Sequence, residues 1–276
     1  LPNPMGNMPA NLSVIPEDMD MQMTMIDVMY APTKDLTLMM MGTYVSKDMT
    51  LGTYAAMMDR NLLGTFKTSS SDLSELTFSA LRTISDADNS KWHAEVTLQK
   101  SLGNNDQTGL VLTPMGTEMN MILPYAMQPS DKATRLILGL INSRKLSEKV
   151  SWTNQARFKK VLDEKEWALG DQLELNSWVQ YQYKSSLSVS TRLKFVSQKD
   201  ISGSNPMIMA PVQTANPENY GGDELHIGFG ANYDLSSLTS KQDVVGVEVL
   251  FPIIQDKNGL QMETKHQIVL GFNRSF

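Results

Sequence analysis

Apolar side chains recur at every second residue in run after run of this chain, a period that only a strand converts into two chemically different faces. In HQIVLGFNRSF, residues 266–276, Ile268, Leu270, Phe272 and Phe276 share one face, while Gln267, Val269, Gly271, Asn273 and Ser275 share the other. In ELHIGFGANY, Ile227, Phe229, Ala231 and Tyr233 oppose His226, Gly228, Gly230 and Asn232. In SLSVSTRLKF, Leu187, Val189, Leu193 and Phe195 oppose Ser188, Ser190, Arg192 and Lys194. QLELNSWVQYQYK sets Leu173, Leu175, Val179, Tyr181 and Tyr183 against Glu174, Asn176, Trp178, Gln180, Gln182 and Lys184.

Eleven strands follow from this pattern, at about 17–30, 36–46, 69–84, 91–101, 131–142, 150–162, 172–184, 187–198, 223–234, 243–254 and 261–276. A soluble sandwich alternates as well, so the links between strands carry the distinction. APTKD, SDADNS, NSRKLSEK, KSS and DLSSLTSKQD are compact and polar, whereas the links at 47–68, 102–130 and 199–222 are long and carry Met or Pro. Short turns at one end and long loops at the other are the layout of outer-membrane barrels, with the loops outside and the turns periplasmic. The expected fold is an all-β antiparallel transmembrane barrel forming a single domain over 1–276, with 1–16 as an extracellular loop remnant. Bacterial single-chain barrels have even strand numbers, so about twelve strands are expected, the first lying upstream of Leu1. The loops 102–130 and 199–222 are then expected to be open to protease on intact cells.

The composition agrees with a folded barrel and excludes several function classes. Hydrophobic residues make up 41% and charged residues 20% of the 276, which is ordinary for a folded chain. The net charge is -6 and the 24 basic residues are scattered, which argues against a nucleic-acid surface. There is no cysteine, hence no disulfide framework and no thiolate chemistry. LILGLI and VVGVEVLFPII fall short of the ~20 apolar residues that a spanning helix needs.

Four segments resemble the family of outer-membrane barrel proteins named after the meta-pathway of phenol degradation. They are MTMIDVMYAPTKDLTLMMMGTYV (23–45), LTPMGTEMNMILPYAMQ (112–128), MAPVQTANPENYGGDELHIGFGANY (209–233) and LFPIIQDKNGLQMETKHQIVLGF (250–272). The resemblance implies a bacterial outer-membrane location and a channel or transporter for small solutes of hydrophobic or aromatic character. It implies no catalytic residue and no cofactor. Phe276 resembles the terminal aromatic of the outer-membrane assembly signal, while Arg274 departs from the apolar residue usual at the third position from the end.

Enzyme signatures are absent: no G-x-S-x-G elbow, Walker loop, H-E-x-x-H or cysteine nucleophile occurs, and GGDELHIGFG lacks the dinucleotide-binding order. The chain is read as a non-enzyme. The expected lumen lining is Glu95, Glu174, Gln180, Arg192, Lys194, His226, Glu248 and Lys265, with Arg135 and Gln267 as further members. Both charge signs occur in it, as a solvated interior requires whether or not it forms a solute track. Met19, Met21, Met23 and Met25 line one face opposite Asp18, Asp20, Gln22 and Thr24. Thioethers select Cu(I), so a copper-handling surface protein is one alternative; adaptable apolar surface is the favoured reading, because no histidine neighbours these methionines in sequence. A structural subunit of a larger envelope assembly is the other alternative. The expected partners are outer-membrane lipid, a small solute and envelope proteins.

Overall fold

The structure is a computed structural model that describes residues 12–56, 61–209, 212–236 and 242–275. In chain order its strands begin with β1 (Val14–Thr33), β2 (Leu36–Tyr54), β3 (Leu62–Ala87), β4 (Ser90–Ser101), β5 (Thr108–Leu112) and β6 (Glu118–Ile122). They continue with β7 (Thr134–Lys145), β8 (Val150–Asp163), β9 (Trp167–Ala168), β10 (Gln172–Lys184) and β11 (Leu187–Gln198). The last are β12 (Ser202–Gly203), β13 (Gly222–Asp234), β14 (Gln242–Lys257) and β15 (Gln267–Ser275). Eleven of these form one antiparallel sheet in the order β1-β2-β3-β4-β7-β8-β10-β11-β13-β14-β15, curled into a half-barrel. β5 pairs with β6 and β9 with β12 in two small ribbons.

The cross-strand register places the two chemistries on opposite faces. Val28, Met40, Phe78, Leu98 and Leu136 lie in one neighbouring row. Leu138 and Phe158, Leu175 and Phe195, Ile227 and Phe251, and Val247 and Leu270 are further pairs on that convex face. Most of these side chains are solvent-exposed in the isolated chain, whereas Thr43, Thr77, Ser79, Thr97, Gln99, Asn176 and His226 on the concave face are buried. A soluble protein would not leave so wide an apolar band in water. Aromatics cluster on the convex face beside the short turns: Tyr30, Trp92, Trp152, Tyr181, Tyr233 and Phe272. This is the girdle that a barrel sets at a membrane interface.

Three findings depart from the sequence reading. β1, β2 and β3 are 20, 19 and 26 residues long, well beyond the ~9–11 that cross a bilayer, so most of the link expected at 47–68 is ladder. Their convex face turns polar in that extension, with Asp20, Ser46, Asp48 and Ser69 paired across the strands. β15 begins at Gln267 rather than 261, because the preceding segment bonds to side chains, such as Thr264 to Gln255, instead of to a neighbouring strand. The third departure is in the long loops, whose segments 123–133 and 212–219 are largely buried.

Among the described residues β1 and β15 each have a strand neighbour in the sheet on one side only, apart from a single parallel bridge from Val14 to Val212. Both run toward the short-turn end, so the two free edges are parallel to each other. An all-antiparallel barrel closes over such a seam through an odd number of further strands, of which one is the smallest. Residues 1–11, which hold most of the expected loop remnant, and Phe276 lie outside the described residues.

Candidate functional site

The concave face carries a belt of ion pairs, two of which span a strand. Glu95 on β4, Gly139 on β7 and Arg157 on β8 are in register, and the Glu95 carboxylate meets Arg157 at 2.9 Å. A Cβ on Gly139 would lie 2.7 Å from Glu95 Oε2, so the glycine leaves the path between the two side chains open. The same device recurs where Arg192 on β11 reaches Glu248 on β14 at 3.1 Å over Gly228 and Gly230 of β13. Glu174 and Lys194 pair at 3.5 Å, and Glu224 takes both His226 at 2.8 Å and Lys257 at 2.9 Å. Gln180 donates to Ser188 at 2.8 Å. Glu95, Glu174, Gln180, Arg192, Lys194, His226 and Glu248 therefore share the concave face. Lys265 does not belong with them: it precedes β15, its side chain is 79% exposed, and it reaches Asp18 at 3.1 Å. The period-two pattern could not show that the ladder stops short of it.

Above this belt the long loops fill the mouth. Val14, Met49, Leu51, Leu123, Tyr125, Met127, Trp167, Ile201, Ile208, Val212 and Ala215 form the largest buried apolar cluster among the described residues. The core of this protein thus lies inside the loop end of the barrel. Tyr125 meets Trp167 edge to face with centroids 4.8 Å apart, and Tyr220 at 6.1 Å. Such aromatic pairs contribute ~0.5–1.5 kcal/mol beyond their buried area. The Tyr125 hydroxyl accepts from the Asn205 amide at 2.9 Å, which ties the two loops together, and Tyr220 donates to the Thr214 carbonyl at 2.7 Å within the second. Burial pushes the Tyr220 phenol well above its ordinary value, so it stays a donor.

Polar latches hold this plug to the wall. The Lys47 ammonium donates to the carbonyls of Ala126 at 2.8 Å and Gln128 at 2.7 Å, while Ser70 donates to the Met127 carbonyl and Ser74 to that of Pro129. Asp131 and Arg135 form a buried ion pair, with side chains 2% and 5% exposed. Arg135 also donates to the Leu169 carbonyl and Asp131 accepts from the Leu169 amide, so one pair joins the loops on either side of β7 and β8. Burial alone would raise the Asp131 carboxyl; the Arg135 guanidinium and the amides of Leu169 and Ala133 overcome it and hold the group below the usual carboxylate range. At the exit of the second loop Gly221 and Gly222 adopt φ of 75° and 111°, and a Cβ on Gly221 would strike the Gln198 carbonyl at 2.5 Å. Only glycine permits that return into β13.

The expectation of protease-open loops is corrected accordingly. Segments 123–133 and 212–219 are largely buried, and exposure remains in the β5–β6 hairpin, where Met115 is 88% exposed, and along 202–209, where Met207 and Met209 face solvent. Leu123, Tyr125, Met127, Trp167 and Lys47 were missed as functional residues, although the apolar LPYAM in a link otherwise read as solvated was a usable signal.

Met19, Met21, Met23 and Met25 are in register with Met49, Lys47, Val45 and Thr43, so they face inward. Met19 packs against the mouth cluster, and the other three are uncovered because β1 is an edge. Met49 and Met127 are buried in the cluster, while Met207 and Met209 point away into solvent; Met5, Met8, Met57 and Met58 lie outside the described residues. Among the described residues no group of three His, Cys, Asp or Glu is placed to hold a metal ion.

No protein-family model matches the chain, and no curated protein matches it in sequence. Solved structures share its fold. The NanC porin superimposes with a TM-score of 0.52 at 8% identity, over 96% of this chain and 98% of that one. An outer-membrane channel of Pseudomonas putida F1 superimposes with a TM-score of 0.57 at 14% identity, over 92% and 82% of the two chains. The likeness extends over nearly the whole chain and concerns the architecture, the antiparallel barrel of bacterial outer membranes.

Proposed function

We propose that this protein is an outer-membrane channel, with no enzymatic activity, that passes small solutes along a mixed-charge concave wall and is closed at its outer mouth by the apolar plug. The observation that carries this reading is the inversion of the molecule: an apolar, aromatic-girdled band outside and a belt of paired charges inside, capped by a separate apolar cluster at one end only. The whole chain serves as one barrel domain, with lipid against its convex face. An apolar mouth above a polar wall suits solutes with both a hydrophobic or aromatic part and a hydrogen-bonding part, since each layer desolvates a different portion. The paired charges predict weak ion selectivity.

Planar-bilayer recording of the reconstituted protein tests the proposal. Small, weakly selective conductance that rises when Lys47 is replaced by Met supports it. Absence of current from both proteins would favour the second reading, a structural barrel within an envelope assembly. That reading has its own support in the parallel edges of β1 and β15, which among the described residues have no strand beside them and offer backbone donors and acceptors to another strand.

A further inference from the structure

On the concave face near the short-turn end, three glycines of three adjacent strands line one recess: Gly230 on β13, Gly246 on β14 and Gly271 on β15. Side chains are missing there from a wall that elsewhere carries long polar residues. The result is a recess of about 230 Å³. One rim is the Trp178 indole, with the Arg192 guanidinium held 5.3 Å from its ring centre. Arg192 is in turn fixed by Glu248. Gln180, Ser190 and Asn232 complete the polar rim.

The geometry points to a binding site for a neutral, polyhydroxylated six-membered ring, a monosaccharide, as the solute taken up along this wall; the inference rests on the channel reading for its place in the path. Three features select this class. At Gly271, where a Cβ would meet no atom within 4 Å, a ring can approach the backbone closely, while Ser190 Oγ and Asn232 Oδ1 lie over Gly230 and Gly246 as hydrogen-bonding groups for it. The Trp178 indole, which lines the recess together with the Arg192 guanidinium that lies over its ring, adds apolar surface for the C–H groups of a sugar. The rim then presents donors and acceptors of both kinds from Gln180, Ser190, Arg192, Asn232 and Glu248, which hydroxyl groups match because each both donates and accepts. A plain aromatic ring with one polar substituent would cover these groups and leave most of them without partners, which is costly in a desolvated site. A carboxylate would compete with Glu248 for Arg192 and leave the glutamate unpaired.

Gly271 supplies a clean test, because a Cβ built on it meets no atom within 4 Å. Gly271→Leu therefore adds apolar bulk to the recess from the edge strand, with its Cβ in open space. Equilibrium dialysis of labelled D-glucose against the detergent-solubilised full chain should show saturable binding by the wild type. Binding should weaken at least tenfold in Gly271→Leu and in Glu248→Gln, with the heat-modifiable gel mobility of a folded barrel retained. Phenol and benzoate should compete weakly. The inference is overturned by a wild type with no saturable glucose binding, by equal binding in Gly271→Leu, or by preferential capture of phenol. Since dialysis needs no current, a conducting protein that ignores glucose sinks this inference alone, and a silent protein that binds glucose sinks only the channel reading.

Discussion

The Glu95 carboxylate reaches the Arg157 guanidinium at 2.9 Å across the bare backbone of Gly139, so a pair two strands apart depends on a residue that contributes no atom to it. Gly139→Ala should therefore disturb this pair more than its size suggests, since the new Cβ would lie 2.7 Å from Glu95 Oε2. Arg157 is partly solvated, so the cost to stability is small, about 1 kcal/mol or less. The readout is electrical. Glu95→Gln should shift the reversal potential in a salt gradient toward anions, and Gly139→Ala should move it the same way by a smaller amount. No shift in either variant would remove Glu95 from the solute path.

Leu193 faces outward in register with Ile227, whereas Ser190 lies on the concave wall in register with Gly230. Arginine on the lipid face costs ~2–4 kcal/mol at mid-membrane and little in the lumen. Leu193→Arg is expected to impair assembly and Ser190→Arg to leave it intact, as read by heat-modifiable mobility of membrane-extracted protein. Equal tolerance of the two would contradict the assignment of faces.

The Asp131–Arg135 latch predicts a pH dependence with a definite sign. The folded carboxyl titrates below its unfolded value of ~3.9, so its contribution is complete above that value and is lost as pH falls through the lower folded one. The plug should stay latched through neutral pH and loosen only in strong acid. Asp131→Asn leaves a buried guanidinium unpaired, which typically costs ~3–5 kcal/mol. That variant should expose 123–133 to protease near neutral pH, where the wild type is cut first in the β5–β6 hairpin. Identical cleavage patterns would dismiss the latch.

For the inward methionines of β1, replacement of Met19, Met21, Met23 and Met25 by Leu conserves volume and should cost under ~1.5 kcal/mol at each site. The fourfold variant is expected to assemble, keep its conductance and bind as much metal as the wild type. One equivalent of copper in wild-type protein purified without chelators, absent from the variant, would establish the thioether site instead.

Arg274 shows how a local reading stops short of the structural reason. At the third position from the end it departs from the usual apolar residue, and the fold explains it: its guanidinium takes both oxygens of Asp243 on β14 at 2.8 Å each, and it lies 5.6 Å from the Phe272 ring centre. The partner belongs to the neighbouring strand, so nothing within the last ten residues announces it.

The residue pattern alone defines the eleven strands of the large sheet and the two faces of each. Alternation such as Ile227, Phe229, Ala231 and Tyr233 against His226, Gly228, Gly230 and Asn232 is a property of single strands, fixed by the pleat and independent of any partner. Whatever depends on curvature and long-range register comes from the folded sheet. It decided that Lys265 falls off the ladder, that glycines on β7 and β13 let acids and bases meet over them, and that 123–133 and 212–219 turn inward rather than outward. The inward turn has a physical cause that no local period carries. Leu123, Tyr125 and Met127 gain from burial only because Trp167, Ile208 and Val212, far off in the chain, are brought into the same mouth when the sheet curls.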